Sequence, residues 1–188
     1  MKKAILLLSL FLGFSSLPSY AQQDKIILLI AEQNIEGPQR AWWASEIDLS
    51  TTEAAIAQAL ITQGYQVIEP KDLNNVIQKE QAFRVIAISE GESVKLGSLS
   101  SADYVILGKA IASAGGNLPE SQMRSCFANI TAKLIRVKDA KVIAYLDSAG
   151  NSVHLDLVTG GKEALARAAN DLAAEIMAEL GKEKKGEQ

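Results

Sequence analysis

The stretch "SCFANITAKLIRVKDAKVIAYLD", residues 125–147, has the pattern of a β-hairpin, and this hairpin defines the second half of the fold. Its apolar side chains recur at every second position, at Cys126, Ala128, Ile130, Ala132 and Leu134. Polar residues stand between them, at Ser125, Asn129, Thr131 and Lys133. Residues 138–140 mark a turn into a second strand over 142–147. A period of two residues predicts antiparallel strands with one face on a core and one in water.

Apolar runs predict the other strands. Residues 25–31 are apolar without alternation after Lys25, which predicts a strand covered on both faces. Residues 65–68 predict a short strand, and residues 102–108 predict a longer one that continues to Ala112. Residues 153, 155 and 157 add a further short strand, while residues 83–91 fit either a strand or an irregular link.

Capping residues and apolar residues at helical spacing predict the helices. Ser50-Thr51-Thr52-Glu53 matches a capping box, and the helix that it begins ends at Gly64. Apolar spacing predicts further helices over 72–81, 92–101 and 163–180, and residues 159–162 read as the approach to the last one. Residues 32–48 show no clean period, and turns are expected at 115–119 and 149–151.

The order of these elements predicts an α+β fold. We expect a single mixed β-sheet with helices packed on its faces, ending in a β-hairpin and a long C-terminal helix. No internal repeat or second domain is visible, so residues 22–181 are expected to form one domain. Residues 182–188 are charged and lack an apolar face, which predicts a disordered tail.

The first 21 residues have the three parts of a secretory signal peptide. Lys2 and Lys3 precede an apolar run over 4–14, and Ser19-Tyr20-Ala21 fits a cleavage site. The run is too short to span a bilayer, which takes roughly 20 residues. No cysteine follows it, so we expect a free periplasmic protein without a lipid anchor or a transmembrane segment.

Composition narrows the class of partner. Without Lys2 and Lys3 the chain has 17 basic and 22 acidic residues, a net charge of −5. A negative chain is a poor match for nucleic acid or an anionic membrane surface, which attract basic patches. Cys126 is the only cysteine, so no internal disulfide is expected, and its position on the apolar face predicts a buried thiol.

Few residues suit catalysis or metal binding. The chain has one histidine and one cysteine, and no acidic cluster at ligand spacing, so we expect no metal site and no cofactor. His154 is expected to face solvent, and Asp156 lies two residues on. An alternative function is a small periplasmic hydrolase that uses His154 and Asp156 with a nucleophile such as Ser152. Another is a small-ligand module with a pocket between the sheet and the last helix.

Two tryptophans stand side by side in "GPQRAWWAS", residues 37–45. Two interpretations of Trp42 and Trp43 stay open: core packing, and a surface anchor beside Arg40, since tryptophan and arginine are enriched at interface hot spots. On the second interpretation Arg40, Trp42 and Trp43 contact a partner. The loop at 115–120, with Asn117 and Leu118, is the next candidate.

The stretches "ALITQGYQVIEP", "LSSADYVILGKA" and "ITAKLIRVKDAKVIAYLDSAG" together resemble a group of bacterial envelope domains. The group contains the curli secretion lipoprotein, the amino-terminal domain of the Tol translocation protein, lipoprotein activators of penicillin-binding proteins and flagellar outer-membrane assembly proteins. The matching residues are Gly64, Val67, Ile68, Glu69, Ala102, Asp103, Tyr104, Val105, Ile106, Gly108, Lys133, Leu134, Ile135 and Val137. Ser101 and Ala140 stand where the group commonly has glycine.

The resemblance implies a non-enzymatic module that binds other envelope proteins, among them outer-membrane, secretion or flagellar components. Such modules dock through loops and exposed strand edges, and an added strand is an economical mode of recognition. The chain lacks the lipid-anchor cysteine of the lipidated members. Whether it forms a homo-oligomer is left open by these residues.

Overall fold

The computed structural model describes residues 23–35, 37–40, 50–68 and 90–186. In chain order the elements of these residues are β1 Lys25–Asn34, β2 Gly37–Arg40, α1 Thr51–Thr62, β3 Gln66–Ile68, α2 Glu90–Leu99, β4 Tyr104–Asn117, β5 Arg124–Arg136, β6 Lys141–His154 and α3 Leu157–Gly186. The predicted signal peptide and the predicted helix over 72–81 lie outside the described residues.

The strands form one mixed sheet in the order β2-β1-β4-β5-β6, and β3 also pairs with β1. β1 is parallel to β3 and β4, whereas β4, β5 and β6 are antiparallel neighbours. The parallel pairs are thus those of β1 with β3 and β4, and β2 at the end of β1 is antiparallel to it. The predicted α+β class with a long C-terminal helix is confirmed.

β1 lies in the middle of two apolar layers. On one face Ile26, Leu28 and Ile30 pack in the main core, which α1 and α3 cover. On the other face Ile27 and Leu29 join a smaller cluster with Val105 and Val137. Gly97 of α2 lies against this cluster, because a Cβ added there would be 2.6 Å from Val137 Cγ2. The unbroken apolar run of β1 is thus explained by burial on both sides.

The alternation of apolar and polar residues in β5 places its apolar side chains in the core, as predicted. Cys126, Ala128, Ile130 and Leu134 are buried against α3, on the same face as Ile106 and Ala110 of β4. The predicted turn occurs over residues 137–140, where Ala140 adopts a positive φ of 56°. Asp139 accepts hydrogen bonds from Arg136 at 2.9 and 2.7 Å, and these bonds to the guanidinium lower the pKa of Asp139 to about 2.

The turn expected over 149–151 is wrong and the one expected over 115–119 is only partly right, since residues 115–117 and 149–151 belong to strands whereas the turn between β4 and β5 follows at 118–120. β4 continues through residues 115–117, and Asn117 pairs with Arg124 after a bulge. β6 continues through 149–151 to His154, so no separate strand over 153–157 exists. Gly150 is required by packing rather than by a turn, because a Cβ there would overlap the carbonyl oxygen of Ala164 in α3.

The last helix is longer than predicted at both ends. It begins at Leu157, where Asp156 Oδ1 accepts a hydrogen bond of 2.7 Å from the backbone of Thr159. The two glycines expected before the helix, Gly160 and Gly161, lie inside it. Gly160 packs closely on β5, because a Cβ added there would be 2.6 Å from Cys126 Sγ. The predicted disordered tail from residue 182 is helical to Gly186. Glu183 pairs with Arg136, and Lys184 pairs with Asp24 at 2.7 Å.

Residues 32–34 and 37–40, in the stretch that has no clean sequence period, belong to strands. β1 extends to Asn34, and residues 37–40 return as β2, with Arg40 opposite Glu32 and Gly37 opposite Asn34. Asn34 is fully buried and donates to the backbone carbonyl of Val158 at 3.1 Å, which ties the end of β1 to the first turn of α3. The sequence period alone did not indicate that the polar side chain of Asn34 is buried at the end of β1.

Candidate docking surface

The face of β4, β5 and β6 that points away from α3 is open to solvent beyond α2, and we call its outer part the distal face. It is formed by Ile111, Ser113, Phe127, Asn129, Asn151 and Val153. Residues paired across antiparallel strands share a face, and Phe127 stands opposite both Ser113 and Asn151. Phe127 and Val153 expose 46% and 45% of their surface. Two large apolar side chains are therefore presented on a rigid sheet.

Gly115 gives the Phe127 ring its position. A Cβ added at Gly115 would lie 2.6 Å from Cε2 of the ring, so the edge of the ring occupies space that a side chain at this position would fill. Met123, which precedes β5, exposes 44% of its surface and accepts a backbone hydrogen bond from Leu118 at 3.0 Å. The apolar surface thus extends from the distal face towards the turn between β4 and β5.

The same sheet face becomes charged closer to α2. Lys109, Thr131 and Asp147 form one cross-strand row. In the next row Lys133 Nζ lies 5.2 Å from the centre of the Tyr145 ring, and Tyr145 is 72% exposed. A cation near an aromatic ring is weakly attractive at an exposed site. An apolar end and a polar end therefore share one continuous face.

The residues predicted to contact a partner have different positions. Trp42 and Trp43 lie outside the described residues. The backbone of Arg40 belongs to β2, on the β1 side of the sheet. Asn117 is exposed at the end of β4, and Leu118 begins the following turn. Asn117 and Leu118 therefore adjoin the distal face, whereas Arg40 lies beyond β1 from it.

Phe127 was not among the residues predicted from sequence, although a signal was present. It occupies a position of β5 whose neighbours on the same face are Ser125 and Asn129. An aromatic residue on the polar side of an alternating strand is an exposed aromatic residue, which is informative in a way that an exposed leucine is not.

A pair of buried carboxylates lies where β1 meets the start of α1. Glu53 accepts hydrogen bonds from the backbone nitrogens of Ile30 and Ser50, at 3.0 and 3.2 Å. Glu32 accepts from the backbone nitrogen of Thr52 at 2.8 Å. Burial is the largest effect on the pKa of Glu53 and raises it above its ordinary value. The hydrogen bonds from Ile30 and Ser50 lower this pKa, and the charge of Glu32 raises it. The predicted capping box is confirmed.

The three residues of the hydrolase alternative are occupied by structural hydrogen bonds. Ser152 is buried and its hydroxyl donates to the carbonyl of Gly160 at 2.6 Å. His154 is partly buried instead of facing solvent, and its Nδ1 accepts from the backbone nitrogen of Asp156 at 2.9 Å. Asp156 caps α3 through Thr159, whose hydrogen bonds lower the pKa of Asp156. These hydrogen bonds stabilise the N-terminal end of α3.

In the part of the chain that the structure describes, histidine, cysteine, aspartate and glutamate side chains are dispersed. No group of three or more histidine, cysteine, aspartate or glutamate side chains in it is placed to hold a metal ion. No described helix has the length and apolarity to cross a membrane. The predicted space between the sheet and α3 contains buried side chains, among them Leu165, Leu172 and Ile176.

The family model described as "Curli production assembly/transport component CsgG" matches residues 40–161. Among curated proteins, no sequence matches this chain.

Several solved structures are similar in fold. The C-terminal domain of LpoB from Salmonella enterica is 14% identical, with 67% of this chain and 81% of that chain covered and a TM-score of 0.43. Lipoprotein GNA1162 from Neisseria meningitidis is 13% identical, with coverage of 81% and 99% and a TM-score of 0.45. The PelC dodecamer from Paraburkholderia phytofirmans is 16% identical, with coverage of 84% and 88% and a TM-score of 0.41.

Proposed function

Because this chain belongs to the family of the curli production assembly/transport component CsgG, we propose that it is an accessory module of a cell-envelope complex. It works by binding another envelope protein and not by catalysis. Residues 1–21 direct its export, and the mature protein acts in the periplasm without a lipid anchor. The partner is a component of an outer-membrane, secretion or flagellar assembly.

One observation supports this function above the others: Phe127 and Val153 are held half-exposed on a sheet whose opposite face packs against α3. Large exposed apolar side chains on a rigid scaffold favour protein binding, because burying them against a partner gains free energy with little loss of conformational freedom. Asn117 and Leu118 extend this surface at one end. Arg40, Trp42 and Trp43 are proposed as a second contact region.

The polar groups that a hydrolase needs support the same conclusion. Ser152, His154 and Asp156 each have a hydrogen-bond partner at the start of α3. A nucleophile and a base must be within reach of one another and free to exchange a proton. A structural role at the helix start accounts for all three.

The test is photo-crosslinking in intact cells. A benzoylphenylalanine in place of Phe127 is expected to capture one envelope protein, and the same probe in place of Glu175, on the exposed side of α3, serves as the matched control. A Phe127→Ser/Val153→Ser double variant is expected to keep its fold and lose at least nine-tenths of the partner in a periplasmic pull-down. Equal capture from both probe positions, or an unaffected pull-down, contradicts the proposal.

A second measurement tests the predicted processing. Cleavage after Ala21 without lipidation gives a mature chain whose intact mass is that of residues 22–188. An added acyl mass contradicts the proposal of a free periplasmic protein and leaves the docking proposal intact.

A further inference from the structure

The two edges of the sheet are unlike each other. On the β1 side, β3 pairs with residues 25–27 and β2 pairs near the other end, and the Ile30 N–H between them donates to Glu53. β6 is the last strand on the other side. Within the described ranges, no backbone hydrogen bond joins its outer edge to another segment. A strand of 14 residues thus presents unpaired backbone groups.

The direction of these groups follows from one contact. Arg167 Nη1 donates to the backbone carbonyl of Asn151 at 2.9 Å. Because this carbonyl bonds an exposed side chain of α3, we infer that it points away from the ladder with β5. In an antiparallel strand the N–H and C=O of one residue point to the same side, and the side alternates along the chain. Over residues 145–151 the outward groups therefore belong to Tyr145, Asp147, Ala149 and Asn151. The Arg167 guanidinium thus occupies the position from which a backbone N–H of an added strand would donate to the Asn151 carbonyl.

α3 holds this edge in a fixed conformation. The Ser148 hydroxyl donates to the Ala168 carbonyl at 2.8 Å, and the Ser152 hydroxyl donates to the Gly160 carbonyl at 2.6 Å. The pairing with β5 is continuous from Ala144 to His154. A strand that is already extended and fixed loses little entropy when another strand pairs with it.

The position of α3 also restricts what pairs there. The missing side chain at Gly150 brings the backbone of α3, at Ala164, directly onto β6. A second copy of this chain would bring its own α3 to the same height beside the first. Neighbouring strands are about 4.8 Å apart, whereas packed helices need about 8–10 Å between their axes. The edge therefore suits a strand with no helix on that side.

We propose that the outer edge of β6, over residues 145–151, binds an extended segment of a partner protein as an added strand. This inference rests on the proposed function, because it says how the partner of that function is held. On the open side the segment carries apolar residues against Tyr145 and Val153, which are 72% and 45% exposed. When a backbone N–H of the segment donates to the Asn151 carbonyl, it replaces Arg167 there. The released guanidinium then needs a new acceptor, so on the α3 side the segment carries a carboxylate that pairs with Arg167.

The experiment uses the full chain in intact cells, with a benzoylphenylalanine at position 147 on the outward edge. The expected product is one adduct whose crosslinked peptide maps to a single segment of the partner, with an acidic residue between apolar ones. Ala149→Pro is expected to lower its yield about tenfold, because proline removes an outward N–H and leaves the bonds to β5 in place. Phe127→Ser tests the distal face separately.

Each other outcome has a definite meaning. An adduct whose yield is unchanged by Ala149→Pro, or an adduct between two copies of this chain, overturns the inference. An adduct at position 127 without one at position 147 also overturns it and leaves the proposed function standing. The absence of adducts at both positions contradicts the proposed function itself. If Ala149→Pro fails to fold, an ester in place of the Ala149 amide removes the same N–H, and an unchanged yield then overturns the inference.

Discussion

The carboxylate of Glu53 accepts the backbone N–H of Ile30 at 3.0 Å, across 23 residues of chain. Ile30 is one of the β1 residues, 28–31, that lie between the segments paired with β3 and with β2. A capping-box side chain therefore closes a gap in the sheet as well as the start of α1. Burial of this carboxylate, at 3% exposure, makes both roles energetically significant.

Removal of the Glu53 side chain is expected to destabilise the protein strongly. Glu53→Ala leaves the backbone nitrogens of Ile30 and Ser50 buried without their acceptor, and each unsatisfied group costs about 1–3 kcal/mol. We expect the free energy of unfolding to fall by about 2–4 kcal/mol in urea denaturation. Gln58→Ala, on the exposed side of α1, is the control and should change it by less than about 0.5 kcal/mol. An equally small effect at Glu53 contradicts the dual role.

The pH dependence of stability provides an independent check on Glu53. Its pKa in the folded state is raised, with burial as the main cause, so the folded protein binds more protons than the unfolded chain above the ordinary glutamate pKa. Stability then decreases as pH rises from that ordinary value through the raised one. The stability of the wild type relative to Glu53→Gln is therefore expected to be highest in acid and to decline towards neutral pH. A relative stability that increases with pH has the wrong sign for this explanation.

Gly150 is expected to be intolerant of any side chain. Gly150→Ala forces a Cβ against the backbone carbonyl of Ala164, and helix and strand must separate to admit it. A cost of about 1–3 kcal/mol is typical of such overpacking, and it corresponds to a Tm decrease of several degrees. Gly116→Ala is the matched control, because a Cβ there has no neighbour within 4 Å. Equal Tm values for the two variants contradict the close contact between α3 and β6.

The tryptophan pair remains a prediction from sequence. A Trp42→Ala/Trp43→Ala variant is expected to keep the Tm of the wild type and to lose its partner in a periplasmic pull-down. Loss of several kcal/mol of stability assigns the rings to the core, since truncating a buried tryptophan costs about 3–5 kcal/mol. Calorimetry and the pull-down on the same preparation separate the two interpretations.

Cys126 offers a simple probe of the core. Its side chain is fully buried between β5 and α3, close to Gly160. A maleimide reagent is expected to leave the native protein unlabelled for hours and to react completely in denaturant, because the thiol becomes accessible only on unfolding. Rapid labelling of the folded chain contradicts the packing of the first turn of α3.

Several features followed from sequence because they depend on short stretches of chain. The apolar run of β1, the capping box at Ser50 and the alternation of β5 each reflect side-chain directions that are local to one element. The order of those elements was enough for the α+β class. The apolar spacing of the last helix likewise identified its buried side, including Leu165 and Leu172.

Other features depend on contacts between distant residues, and these only the tertiary structure decided. Gly115 and Gly150 are residues typical of turns, yet both lie in strands: Gly150 pairs with Ala128 of β5, and Gly115 lies in the bulge of β4 between Ala114 and Asn117. Close neighbours, the Phe127 ring at Gly115 and α3 at Gly150, explain the missing side chains. The burial of Glu32, and the absence of a described segment paired with the outer edge of β6, likewise depend on which elements become neighbours. A local pattern sets the direction of a side chain, but what that side chain meets is determined by the packing of the whole sheet.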